Sequence, residues 1–193
     1  LLVGQELQEM TKTAFLFAGQ GAQYIGMGRD LYDHYPIVKE TIDQASQVLG
    51  YDLRDLIDND EAKLNQTRYT QPAILATSVA IYRLLKEKGY LPDMVAGLSL
   101  GEYSALVASG ALDFEDAVAL VAKRGAYMEE AAPAGSGKMV AVLNTPVEVI
   151  EKACETASKV GVVTPANYNT PNQIVIGGEV AAVDRAVELL QEA

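Results

Sequence analysis

Met94-Val95-Ala96-Gly97-Leu98-Ser99-Leu100-Gly101-Glu102-Tyr103 is the stretch on which the reading of this chain turns. An apolar run enters a Gly-x-Ser-x-Gly pentad at 97–101, and a helical run from Glu102 to Ala108 leaves it. A pentad between a strand and a helix is a nucleophile elbow, a tight turn that lifts one hydroxyl above the end of a sheet. Its two glycines are steric requirements, since a side chain at either would meet the crossing strand or helix. The turn also sets Ser99 at a helix N-terminus, where free N–H groups favour developing negative charge. The bare pentad occurs by chance, as a turn without chemistry. The strand and helix on either side decide for the elbow.

Working outward, Thr13–Ala18 (TAFLFA) is a short continuous apolar run, as expected of a buried parallel strand, and it stops at the turn Gly19-Gln20-Gly21. Residues 24–35 read as a short helical stretch. Pro36 opens a longer helix with Val38, Ile42, Ala45 and Leu49 on one stripe, closed by Gly50. Residues 51–69 are polar and turn-rich. Thr70 is placed to cap a helix, with Pro72 in its first turn, ending before Gly89. Beyond the elbow, Asp113 caps a helix from Phe114 to about Glu130 that carries Arg124.

Pro133-Ala134-Gly135-Ser136-Gly137 has the composition of a linker. After it come a strand at 139–143, a helix at 146–159, strands at 162–168 and 173–176, and a helix at 180–191. Thr145 with Glu148 forms a capping box, and Gly161 closes that helix. The order β-α-β-β-α is a ferredoxin-like unit without its fourth strand. The chain therefore reads as α/β, with a core at 10–132, an incomplete ferredoxin-like subdomain at 137–193, and a segment 1–9 before Met10 that matches neither and reads as added sequence or an alternative start.

The chain has 193 residues, a net charge of −11, one cysteine and one histidine. That charge argues against nucleic acid and anionic membranes as partners. No run is long enough to span a membrane and no secretory segment opens the chain, so a cytoplasmic protein is expected. One cysteine excludes an internal disulfide framework and a cysteine-rich metal site. Cys154 falls on an apolar helical face and reads as a buried, inert thiol.

Several spaced stretches together resemble the malonyl-CoA:acyl carrier protein transacylases of fatty acid synthesis. They are FLFAGQGAQYIGMGRDLY, YTQPAILATS, GLSLGEYSALVASGAL, KRGAYMEEAAP and PANYNTPNQIVIGG, running from about Thr13 to the last residue. The resemblance implies an α/β-hydrolase-like core with a mainly parallel sheet and an inserted ferredoxin-like subdomain. It implies that Ser99 takes a malonyl group from coenzyme A as an ester and passes it to the phosphopantetheine thiol of an acyl carrier protein. The backbone N–H groups of Gln20 and Leu100 are then the oxyanion hole. Arg124 pairs with the free malonyl carboxylate, and Gln71 and Asn169 are pocket residues. No metal and no cofactor belonging to the enzyme is implied. An acyl-serine divides one transfer into two easier steps. A guanidinium matches a planar carboxylate and is left uncompensated by an acetyl group.

This sequence departs from that family at two points. Leu98 stands where the family has histidine before the nucleophile. The one histidine, His34 in DLYDHYP, lies in a segment the family does not use for catalysis and reads as solvent-exposed. The family's base lies beyond the subdomain, so the chain reads as the N-terminal part of a longer enzyme, weak in transfer by itself. A serine esterase of the α/β-hydrolase type shares the pentad, but Gly19-Gln20-Gly21 and Arg124 tell against it. A non-catalytic module lacking its base is the third reading. Docking an acidic carrier on an acidic chain needs a local basic patch, for which Lys123, Lys138 and Arg185 are candidates.

Overall fold

The computed structural model describes residues 11–192, so the 1–9 segment lies outside the described residues. These residues form two compact units that part between Glu129 and Glu130. In the first, β1 (Ala14–Phe17) and β2 (Met94–Gly97) pair in parallel, Ala14 against Met94 through Phe17 against Gly97. Asp93 anchors the start of this ladder by accepting from the Thr13 amide at 2.7 Å. The expectation that residues 13–18 are buried on both faces is corrected. Phe17 is buried but Leu16 is 79% exposed, because no described element covers the face that also carries Met94 and Ala96.

The helices of this unit are α1 (Arg29–His34), α2 (Pro36–Leu49), α3 (Leu53–Asn59), α4 (Glu61–Leu64), α5 (Thr67–Glu87), α6 (Leu100–Ala108) and α7 (Phe114–Ala131). Ile42 of α2, Leu75 and Val79 of α5, Leu100 of α6, and Val118 and Val121 of α7 build one core with Leu53 and Ile57. Residues 51–69 are more ordered than their polarity suggests. Asp52 accepts from the Asp55 amide and Asp60 from the Lys63 amide, so two aspartates that read as turn residues are N-caps. The leucines and the isoleucine of this stretch, Leu53, Leu56, Ile57 and Leu64, are all buried. Accordingly α5 starts at Thr67 and not at Thr70. Thr70 is buried and donates its hydroxyl to the Leu64 and Gln66 carbonyls, and Pro72 lies inside the helix.

The second unit holds β3 (Gly137–Leu143), α8 (Val147–Ala157), β4 (Val163–Thr170), β5 (Gln173–Glu179) and α9 (Val180–Glu192). Its sheet has the order β3-β5-β4 with both pairs antiparallel. Ile174 and Ile176 alternate inward on β5 and pack with Ile150 and Cys154 of α8 and Val183 of α9. Burial pushes the Cys154 thiol up, away from nucleophilic use. The expected capping box at 145–148 is absent. The Thr145 hydroxyl donates to the Leu143 carbonyl, Pro146 is the N-cap without a side-chain bond, and α8 ends at Ala157, before Gly161. No described helix is long and apolar enough to cross a membrane.

One ion network ties α1 to α3. Arg54, nearly buried, donates to the Met27 carbonyl at 2.9 Å and grips Asp58 with two nitrogens, and Arg29 reaches the same carboxylate at 2.7 Å. Burial pushes the Asp58 carboxyl up, but the two guanidiniums outweigh it and hold the group below its ordinary value. A depressed folded pKa stabilises the fold above the unfolded carboxylate value of about 4 and ceases to do so as pH falls below it. Asp58→Asn is expected to cost about 1.5–3 kcal/mol at pH 7 and clearly less at pH 3, measured by urea unfolding at both pH values.

Candidate active site

The chain reverses from β2 into α6 at Ser99, whose backbone sits at φ 53°, ψ −110°. A non-glycine residue at positive φ is uncommon and costs on the order of 1–3 kcal/mol. The turn is held by what surrounds it. A Cβ on Gly97 would overlap the Gly101 carbonyl, and a Cβ on Gly101 would overlap the Phe17 carbonyl of β1. The Gly101 amide donates to the Leu98 carbonyl and the Glu102 amide to the Ser99 carbonyl, which opens α6 at Leu100, earlier than the sequence suggests. Ser99 is exposed at this corner and Leu100 is buried beneath it.

The turn after β1 lies against the elbow. A Cβ on Gly19 would come within 2.7 Å of the Leu98 carbonyl and 4.0 Å of the Leu100 nitrogen. Gln20 points its side chain away and donates to the Thr67 hydroxyl at 3.1 Å. Gln23 accepts from the Gly21 amide and donates to Asn65, fixing the turn to the connection before α5.

Arg124 reaches Ser99 directly. Its Nη2 donates to Ser99 Oγ at 3.0 Å and its Nη1 to Gln71 Oε1 at 2.9 Å. Gln71 is fully buried on α5, and its amide nitrogen donates to Met128 Sδ at 3.2 Å, so the carbonyl oxygen is presented to the guanidinium. The Arg124 guanidinium also lies over the Tyr103 ring, 5.3 Å from its centre. Among the described residues no carboxylate lies within ion-pairing distance of Arg124.

The residue after Arg124 explains how α7 comes so close to α5. A Cβ on Gly125 would lie 2.7 Å from both the Arg68 Cα and the Thr67 carbonyl oxygen. Glu129, one turn on, accepts from the Arg68 backbone amide at 2.9 Å and its side chain at 2.5 Å. Backbone contact and ion pair together set the register of the two helices, and with it the Arg124–Gln71 bond.

The structure thus brings Ser99, Leu100, Arg124 and Gln71 together, with the Gly19–Gly21 turn beside them. Asn169 belongs to the second unit, at the end of β4, where its amide donates to Gln173 at 3.0 Å. His34 ends α1, exposed, with a ring nitrogen 2.7 Å from the Asp30 carbonyl. Leu98 is 60% exposed. Of the basic candidates, Lys138 pairs with Asp184 and Arg185 with Glu188, while Lys123 is exposed. Tyr103 and Met128 were not picked out from sequence. Each lies four residues after a site residue, Ser99 and Arg124, and helical spacing places such pairs on one face.

The profile of the acyl transferase domain matches residues 14–193. The chain belongs to the acyl transferase domain family. Among its relatives is the malonyl CoA-acyl carrier protein transacylase of Haemophilus influenzae, 52% identical over 187 residues, covering 95% of this chain and 60% of that protein. The crystal structure of MCAT from Streptococcus pneumoniae is 90% identical with a TM-score of 0.88, over 94% of this chain and 59% of that one. A type II PKS acyl-carrier protein in complex with its malonyl-transacylase contains a chain 46% identical with a TM-score of 0.89, over 94% of this chain and 60% of that one. The chain therefore spans about 60% of the length of the relatives it matches, and its fold is the mixed α/β fold of these acyltransferases.

Gly125→Ala pushes the α7 backbone off α5. It is expected to cost about 1–3 kcal/mol in denaturant unfolding, whereas truncation of the exposed Tyr127 on the same helix, Tyr127→Ala, costs under about 1 kcal/mol.

Proposed function

We propose that the protein containing this chain transfers a malonyl group from coenzyme A to the phosphopantetheine thiol of an acyl carrier protein, in fatty acid synthesis, through an ester on Ser99. The observation that carries this reading is the guanidinium of Arg124 set 3.0 Å from the Ser99 hydroxyl without a carboxylate of its own. A nucleophile beside an unneutralised cation suits an acyl donor whose far end is an anion. The names of the relatives, malonyl transacylases at about half identity, support the same substrate.

In this reading the Ser99 oxygen attacks the thioester carbonyl, and the oxygen of the tetrahedral intermediate is held by the amides of Gln20 and Leu100. Two facts support that pair. The Gly19 backbone lies against Leu98 and Leu100, and neither amide has a protein acceptor among the described residues. Such donors contribute on the order of 10²–10³ in rate. Coenzyme A leaves as the thiol. The carrier thiol then attacks the ester and Ser99 regains its proton. Arg124 pairs with the malonyl carboxylate, which draws the guanidinium off Ser99 Oγ as the diacid seats. Gln71 holds Arg124 from behind, and Asn169 is assigned a substrate-binding role by its likeness to the family's pocket residue. On the family's pattern the acceptor of the Ser99 proton is a group other than His34, which ends α1 with a ring nitrogen on the Asp30 carbonyl.

We further propose that residues 10–132 are an α/β-hydrolase-like core and residues 137–193 a ferredoxin-like subdomain without its fourth strand. The parallel β1–β2 pair ending in the elbow supports the first, and the antiparallel order β3-β5-β4 with two helices supports the second. The chemistry proposed for these residues calls on no cofactor of the enzyme, and a cytoplasmic protein suits it.

Radiolabelled malonyl-CoA given to the complete gene product tests the function. Label is expected on Ser99 and then on the carrier protein, with Ser99→Ala reducing loading about a thousandfold or more. Arg124→Ala is expected to lower kcat/KM for malonyl-CoA about a hundredfold and for acetyl-CoA far less. Release of free malonate without transfer to any thiol would instead support an esterase.

A further inference from the structure

The Arg124 guanidinium is held by three neutral groups. Gln71 accepts from Nη1, Ser99 accepts from Nη2, and the face of the Tyr103 ring lies 5.3 Å from the guanidinium carbon. Resting on the function proposed above, the Ser99 contact is temporary, because that oxygen becomes part of the acyl ester. The ring contact is different in kind. It stabilises positive charge through the ring's quadrupole and uses none of the guanidinium's N–H groups. A carboxylate in its place would also hold Arg124, but it would neutralise the charge that a substrate anion has to meet.

We propose that Tyr103 is a positioning residue for malonyl selectivity: its ring keeps the Arg124 guanidinium in place and unneutralised while Ser99 is acylated. The backbone gives it a fixed place from which to do this. Tyr103 lies one turn into α6, four residues after Ser99, and packs partly against the core that Leu100 anchors. Ring and nucleophile are therefore carried by the same rigid helix start. Its hydroxyl is not needed for the role, so phenylalanine should serve and an aliphatic side chain of similar size should not.

The test uses the complete gene product with Tyr103→Leu, Tyr103→Phe and, for comparison, Arg124→Gln. Tyr103→Met replaces the leucine variant if that one does not fold. The measurement is kcat/KM for Ser99 loading from malonyl-CoA and from acetyl-CoA, read as their ratio, together with the thermal midpoint. Tyr103→Leu is expected to lower the ratio about tenfold, mainly through KM for malonyl-CoA, and Tyr103→Phe to stay within about threefold of the parent. A ratio unchanged in Tyr103→Leu, or equal losses with both thioesters, overturns the proposal. So does a loss in Tyr103→Phe as large as that in Tyr103→Leu. If Arg124→Gln also leaves the ratio unchanged, the carboxylate-binding role of Arg124 fails and this inference with it. A ratio that falls with Arg124→Gln but not with Tyr103→Leu overturns this inference alone.

Discussion

The approach of three backbones around the elbow is the constraint on which the rest depends. β2, α6 and the end of β1 come so close at Gly97 and Gly101 that no Cβ fits at either residue. This contact is what forces Ser99 into a positive φ, a conformation a serine does not adopt freely. The strain is offset by burial of Leu100 directly behind the turn, on a helix that packs against α5. The hydroxyl is exposed at the corner while Leu100, the residue after it, is buried beneath.

A second close approach depends on the first. Arg124 can meet Ser99 only if α7 lies tight on the start of α5, and Gly125 permits that. The arrangement is costly by ordinary standards. A partly buried guanidinium without a counterion has lost water and gained only neutral partners. Elsewhere in the same unit the chain treats buried arginine differently. Arg54 is paired with Asp58 and also donates to the Met27 carbonyl. The contrast between these two arginines, one closed by a carboxylate and one left open beside the Ser99 hydroxyl, supports the proposed binding role of the second.

The elbow was legible in the sequence because it rests on backbone geometry, and only glycine satisfies that geometry at 97 and 101. Helices α2 and α7 were legible because their apolar stripes are long and their ends are marked by Gly50 and Asp113. The stretch 51–69 was not, because its helices are short and owe their existence to Asp52 and Asp60, residues that suit turns and caps equally. Thr70 misled for the same reason, since a hydroxyl that can cap a helix can also bond backwards inside one. Gln71 and Arg124 were reached through family likeness. Nothing local to either residue announces their bond, which spans 53 positions. Tyr103 was within reach of helical spacing alone, but an aromatic on a helix is far more often core than site.

Selectivity between a diacid and a monoacid is decided by what the pocket loses when the carboxylate is missing. If Arg124 had an internal carboxylate partner, malonyl would have to displace it and would gain little over acetyl. With Gln71, Ser99 and the Tyr103 ring as its partners among the described residues, the guanidinium would, under the proposed function, gain a full charge-assisted pair when malonyl binds. Were Ser99 acylated by acetyl instead, its oxygen would be consumed as the ester and the guanidinium would keep two neutral partners. In that reading the penalty falls at the acylation step, where it would reduce the rate as well as the affinity. An arginine kept short of partners discriminates more strongly than one that is well satisfied, provided something other than an anion keeps it from swinging away.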